Sequence, residues 1–102
     1  MIRHKELKYG DLVAIGSNYG FTFGIFIKSS KTLSYYPINP GSIQSLKDKA
    51  SYINYIFEGN KESRILKIDS YQLRYLSWNS YYGSRTDSYE KMYLEMKKLL
   101  KL

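Results

Sequence analysis

Two stretches of this sequence combine positive charge with aromatic rings. In the first, Lys28 and Lys31 flank one turn, Tyr35 and Tyr36 follow, and Lys61, Arg64 and Lys67 come later. In the second, Trp78, Tyr81, Tyr82 and Arg85 lie close together. Cations that track phosphates and rings that stack on bases are the chemistry of single-strand binding. A tyrosine pair beside an arginine serves equally well as a protein hot spot. The candidate binding residues are therefore Lys28, Lys31, Tyr36, Lys61, Arg64 and Lys67 on a sheet surface, and Trp78, Tyr81, Tyr82 and Arg85 on a loop. The chain has 12 tyrosines, and most of them must fill core with the ring while the hydroxyl reaches water.

Catalysis needs a positioned acid, base, nucleophile or metal, and the sequence offers none in a convincing pattern. His4 is the single histidine, and it has no carboxylate near it in the chain. No serine sits in a Gly-x-Ser-x-Gly elbow, and the segment Gly20 to Gly24 lacks the lysine of a phosphate-binding loop. Glu58, Glu62 and Asp69 with Lys67 could suggest a Mg²⁺ nuclease. Strand alternation instead points Lys67 and Asp69 outward together, as a surface ion pair. The absence of cysteine excludes disulfides, thiolate catalysis and Cys-based zinc sites. No enzyme activity, cofactor, metal or small-molecule substrate is expected.

The 102 residues suit one domain, with a 9–76 barrel, a 77–86 aromatic loop and an 87–101 helix. A hydrophobic share of 43% argues against wholesale disorder. The 16 Lys and Arg against 9 acidic residues give a net charge of +7, a field that attracts polyanions. The first residues, Met1-Ile2-Arg3-His4-Lys5, form neither a signal peptide nor an anchor, and no apolar run approaches the roughly 20 residues that span a bilayer. A cytoplasmic protein without a membrane partner is expected.

The elements that must position the candidate residues are mostly short strands. Leu12 to Ile15 reads as a strand, and Phe21 to Ile27 as a second. Period-two alternation puts Phe23, Ile25 and Ile27 on one face, and Gly24, Phe26 and Lys28 on the other. Thr32 to Tyr36 is a third strand, ended by Pro37. Ser42 to Ala50 suits a short helix with Ile43, Leu46 and Ala50 on one side. Tyr52 to Phe57 and Ile65 to Ile68 read as a hairpin pair around Glu58-Gly59-Asn60-Lys61. Asp69-Ser70 caps one helical turn. The C-terminal helix starts from Asp87 as N-cap with Glu90 at N3, and it carries the stripe Tyr89, Met92, Tyr93, Met96, Leu99 and Leu100. Its cations, Lys97, Lys98 and Lys101, crowd one end rather than a face. The stripe should dock on the chain's own sheet.

The fold class expected is mainly β (α+β): a small five-stranded barrel or half-barrel with the C-terminal amphipathic helix packed on it. Tyr9-Gly10-Asp11-Leu12-Val13-Ala14-Ile15, followed by Gly20, Gly24 and Ile25, resembles the KOW motif and the opening hairpin of SH3-like barrels. The resemblance covers about residues 9 to 28. It implies an inward-facing Val13 and Ile15, an early glycine in the second strand at Gly24, and binding of RNA or protein surfaces. Unlike the usual KOW turn, Gly16-Ser17-Asn18-Tyr19 carries no basic residue. The short, Lys- and Tyr-rich style of the chain is also similar to small accessory proteins of tailed phages.

Two partner classes follow. The first is nucleic acid, with RNA or single strands favoured over duplex DNA because no recognition helix is evident. The second is an acidic protein surface, on which a small phage-type inhibitor or adaptor would dock. A homodimer through an exposed edge strand is compatible with either.

Overall fold

The computed structural model describes residues 6–17, 20–29, 32–48, 57–59, 64–76 and 86–102. Strands β1 (Leu12–Ser17), β2 (Gly20–Ser29), β3 (Leu33–Pro37), β4 (Phe57–Gly59) and β5 (Arg64–Lys67) alternate with helices α1 (Pro40–Lys47), α2 (Ser70–Leu76) and α3 (Thr86–Leu99). The α+β class is as expected. The antiparallel sheet has the order β4-β3-β2-β1-β5, and the three-residue β4 adds to one edge. No pairing joins β4 to β5 among the described residues, so the sheet is open and the closed barrel is not found.

Of the expected hairpin between the last two strands, the turn at Glu58-Gly59 is corrected, because Phe57–Gly59 is a strand that pairs with β3. Residues 52–56 lie outside the described residues, and β4 begins where that strand was expected to end. β5 pairs with β1, placing Ile65 opposite Ile15 and Leu66 opposite Ala14. Val13 and Ala14 are fully buried, so unpaired backbone groups along that edge of β1 would be costly. β5 satisfies them, and this sends β4 and β5 to opposite edges.

Alternation in β1 sorts its residues onto two cores. Leu12 and Ala14 join Phe23, Ile25, Tyr36, Ile38 and Ile68 on the face that also receives Ile43 of α1, Leu73 of α2, and Tyr89, Tyr93 and Met96 of α3. Val13 and Ile15 join Leu7, Phe26, Leu33, Tyr35 and Ile65 on the other. The face division expected for β2 therefore holds for Phe23, Ile25 and Phe26. Tyr35 lies across Gly24, where an added Cβ would stand 2.3 Å from a ring carbon. A register shift between Phe26 and Lys28 bends β2 beyond that point.

The helices begin and end for local reasons. Asn39 caps α1, its Oδ1 accepting the Ser42 N–H at 2.7 Å, and Pro40 occupies the first turn, where its missing N–H is harmless. α2 runs seven residues rather than one turn. Asp69 Oδ1 accepts the Gln72 N–H at 2.8 Å while Gln72 Oε1 accepts the Asp69 N–H at 3.0 Å, a reciprocal capping box. α3 begins at Thr86, which places Asp87 inside the helix and not at its N-cap. The stripe of α3 packs on the sheet, Tyr89, Tyr93 and Met96 buried and Met92, Leu99 and Leu100 partly so. The Tyr89 ring meets Phe23 edge-on, with centroids 5.1 Å apart.

The end of α3 closes back on the start of the sheet. Lys101, at φ 60°, stands in the left-handed region, and the Lys101 and Leu102 N–H groups donate to the carbonyls of Lys98 and Lys97 in a Schellman arrangement. Leu102 then covers Gly10, whose φ of 93° forms the turn before β1.

Gly24→Ala forces the methyl into the Tyr35 ring or the ring out of its core. An urea-denaturation series should show a loss of about 1–3 kcal/mol; a loss below about 0.5 kcal/mol would mean the strands yield easily there. Burial pushes the Tyr35 hydroxyl up from 10.0 to about 12. The unfolded chain then releases this proton from about pH 10 and the folded chain only near pH 12, so stability from this group is complete below pH 10 and falls as pH rises towards 12. The urea midpoint should drop more between pH 9 and 11.5 in the wild type than in Tyr35→Phe, and equal drops would refute this assignment.

Candidate functional site

Of the ten residues singled out in the sequence, Lys31, Lys61, Trp78, Tyr81, Tyr82 and Arg85 lie outside the described residues. The other four do not form one surface. Tyr36 is 6% exposed in the helix-side core, so its ring is withdrawn from any ligand. This corrects its assignment as a binding residue: cross-strand pairing with Ile25 puts it on the face that the helices cover. Lys28, Arg64 and Lys67 are exposed. Register places Arg64 opposite Gly16 at one end of the sheet and Lys28 opposite Ser34 at the other. Lys67 stands opposite Val13, on the face away from the helices. It reaches Asp11 at 3.7 Å, not Asp69, which is occupied in capping α2.

The helical layer brings a different set of residues together. Glu90 of α3 accepts from Arg74 of α2, from Nε at 2.9 Å and from Nη2 at 2.6 Å, rather than reaching back to its own helix end. Glu95 of α3 pairs with Lys47 of α1 at 3.0 Å. Both glutamates of α3 are thereby neutralised by cations from neighbouring helices. Lys91, Lys98 and Lys101 are exposed, and none of the ion pairs among the described side chains includes them. Lys97 is directed over the Tyr93 ring, 5.9 Å from its centroid. Burial first, and then the nearby Asp11 carboxylate, push the Tyr93 hydroxyl up, so Tyr93 stays neutral beneath that lysine at ordinary pH.

Lys91, Leu94 and Lys98 recur at helical spacing on the side of α3 opposite its buried stripe, and Lys91 and Lys98 are about 10 Å apart along the axis. Lys97, Lys98 and Lys101 gather at the C-terminal end of α3 as expected, and Lys91 extends the exposed cations back along one face. Leu94 is 50% exposed between them. On α2, which packs against α3, Tyr71 and Tyr75 are 75% and 67% exposed. They sit one turn apart, while Leu73 alone is known to be buried from that helix. Arg74, between them in sequence, is anchored by Glu90.

The sequence signal for these residues is the complement of the apolar stripe. The same spacing that groups Tyr89, Tyr93 and Met96 leaves Lys91, Leu94 and Lys98 facing out. Tyr71 and Tyr75 would have been found by extending α2 past one turn. Among the described residues, no group of three or more His, Cys, Asp or Glu side chains could hold a metal ion, and no helix is long and apolar enough to cross a membrane.

The Arg74–Glu90 pair is exposed on the arginine side, so it orients α2 against α3 more than it stabilises either. A double-mutant cycle with Arg74→Gln and Glu90→Gln, read by urea unfolding, should give a coupling of about 1 kcal/mol or less. A coupling above about 2 kcal/mol would make the pair a principal support of the fold. No protein-family model matches this chain, and no match to it was found among curated proteins or among solved structures.

Proposed function

We propose that this protein is a non-enzymatic module that binds RNA or other single-stranded nucleic acid. The observation that carries this reading is the set of exposed lysines along the outer side of α3. Glu95 and Glu90 of that helix are taken by Lys47 and Arg74, while Lys91, Lys98 and Lys101 are exposed. Exposed lysines on a chain of net charge +7 concentrate a polyanion near that surface. The resemblance to KOW and SH3-like domains is part of the same proposal. Val13 and Ile15 share one core, and Gly24 lies early in β2, an arrangement that supports this part of the proposal.

A second reading, a protein-interaction module that docks on an acidic surface, draws on Leu94. A half-exposed leucine between two lysines suits a partner that is acidic around an apolar spot.

Binding to a random-sequence single-stranded RNA should be measurable at low salt and weaken steeply as salt is added. Each phosphate contact contributes a slope of about 0.7 in log affinity against log salt. Lys91→Gln combined with Lys98→Gln should therefore lower the slope by about 1.4. No binding at low salt would end the nucleic-acid reading. A slope unchanged by the two substitutions would move the contact away from α3.

A further inference from the structure

We infer that Tyr71 and Tyr75 form a stacking platform for the bases of a single strand whose phosphates run along the lysines of α3. The inference rests on the nucleic-acid reading above and adds to it the part of the ligand that charge alone does not recognise.

The two rings are the most exposed large apolar side chains described, at 75% and 67%. Among the described side chains of α2, it is Leu73 that enters the core, where it is fully buried. Positions four apart on a helix lie one above the other on one face, with Cβ atoms about 5–6 Å apart. Bases in a stacked strand repeat at about 3.4 Å. One base can therefore enter between the rings, or two can lie against their outer faces.

The helix that presents the rings is held at both ends of its short length. The reciprocal Asp69–Gln72 bonds fix its start, and the Arg74–Glu90 pair ties its last turn to α3. A platform that is already ordered loses little entropy on binding. The Arg74–Glu90 pair also sets where the strand would run. It joins the helix that offers rings to the helix that offers exposed cations, and Lys91 follows Glu90 directly in sequence.

An acidic protein would use the lysines equally well, but it gains less from two phenol rings whose described neighbours between them on the exposed side of α2, Gln72 and Arg74, are polar. Sequence-tolerant stacking with adjacent cations is the recognition such a surface suits.

The test compares a short fluorescently labelled oligothymidylate with an abasic strand of equal length and charge, by anisotropy at low salt. The wild type should prefer the oligothymidylate. Tyr71→Ala with Tyr75→Ala should abolish that preference, weakening oligothymidylate binding by about tenfold or more, and leave the abasic strand bound as before. Tyr71→Phe with Tyr75→Phe should keep the preference, because the ring and not the hydroxyl carries it. The far-ultraviolet circular dichroism of each variant controls for folding, which substitution at such exposed positions should not disturb. Equal binding of both strands by the wild type, or a preference that survives the alanine pair, would overturn the platform while the function proposal stands. Failure of the wild type to bind either strand would overturn both. Displacement of the oligothymidylate by polyglutamate at equal charge concentration would favour the acidic-protein partner and count against the platform.

Discussion

The structure depends on one constraint: the central strands β1 and β2 are apolar on both faces, so both faces must be covered. Leu12 to Ile15 are all buried although alternate residues point in opposite directions. A strand of this kind tolerates neither a solvated face nor an open edge. β2 and β5 close its two edges. The three helices then cover one face, with Tyr89 of α3 meeting Phe23 of β2 near the centre. On the other face Val13, Ile15, Phe26, Leu33, Tyr35 and Ile65 pack with Leu7, and the missing side chain of Gly24 makes room for Tyr35.

Covering the helical face decides what is left for function. Once α3 commits Tyr89, Tyr93 and Met96 to the core, its opposite side must face solvent. Neighbouring helices approach that side only at its flanks, where Glu95 meets Lys47 and Glu90 meets Arg74. Such exposed pairs add little to stability. Their larger consequence is electrostatic, because they engage Glu90 and Glu95 of α3 with cations from neighbouring helices.

Much of the helix and strand content was legible in the residues themselves. The β-branched and aromatic run of β2 set its two faces. Asp69 marked a helix start whose cap forms through local hydrogen bonds, whereas α1 begins at Pro40 under an Asn39 cap, two residues before the expected start at Ser42. These features involve neighbours in sequence, so local chemistry suffices. Pairing was not legible in the same way. The last strand was expected to turn back on residues 52–57, and nothing local shows that it also closes the buried edge of β1, more than forty residues earlier in the chain. Asp87 likewise has the residue type of a cap, but α3 begins at Thr86, and the cation held by Glu90 comes from a helix that sequence distance hides.

The candidate site divides along the same line. Composition by itself determined that the chain is basic and rich in tyrosine, since net charge and ring count are independent of conformation. It also determined which side of α3 is apolar, because helical periodicity is a property of spacing. Tertiary structure decided which rings and cations are free to act. Tyr36 went to the core because its cross-strand partner Ile25 faces the helices, and Lys67 went to Asp11. Tyr71 and Tyr75 stayed outside while Leu73 docks α2 on the core, and Lys91 and Lys98 are exposed beside glutamates to which α1 and α2 supply cations. Burial and charge pairing are properties of what lies across space from a residue, and that is information no stretch of sequence carries alone.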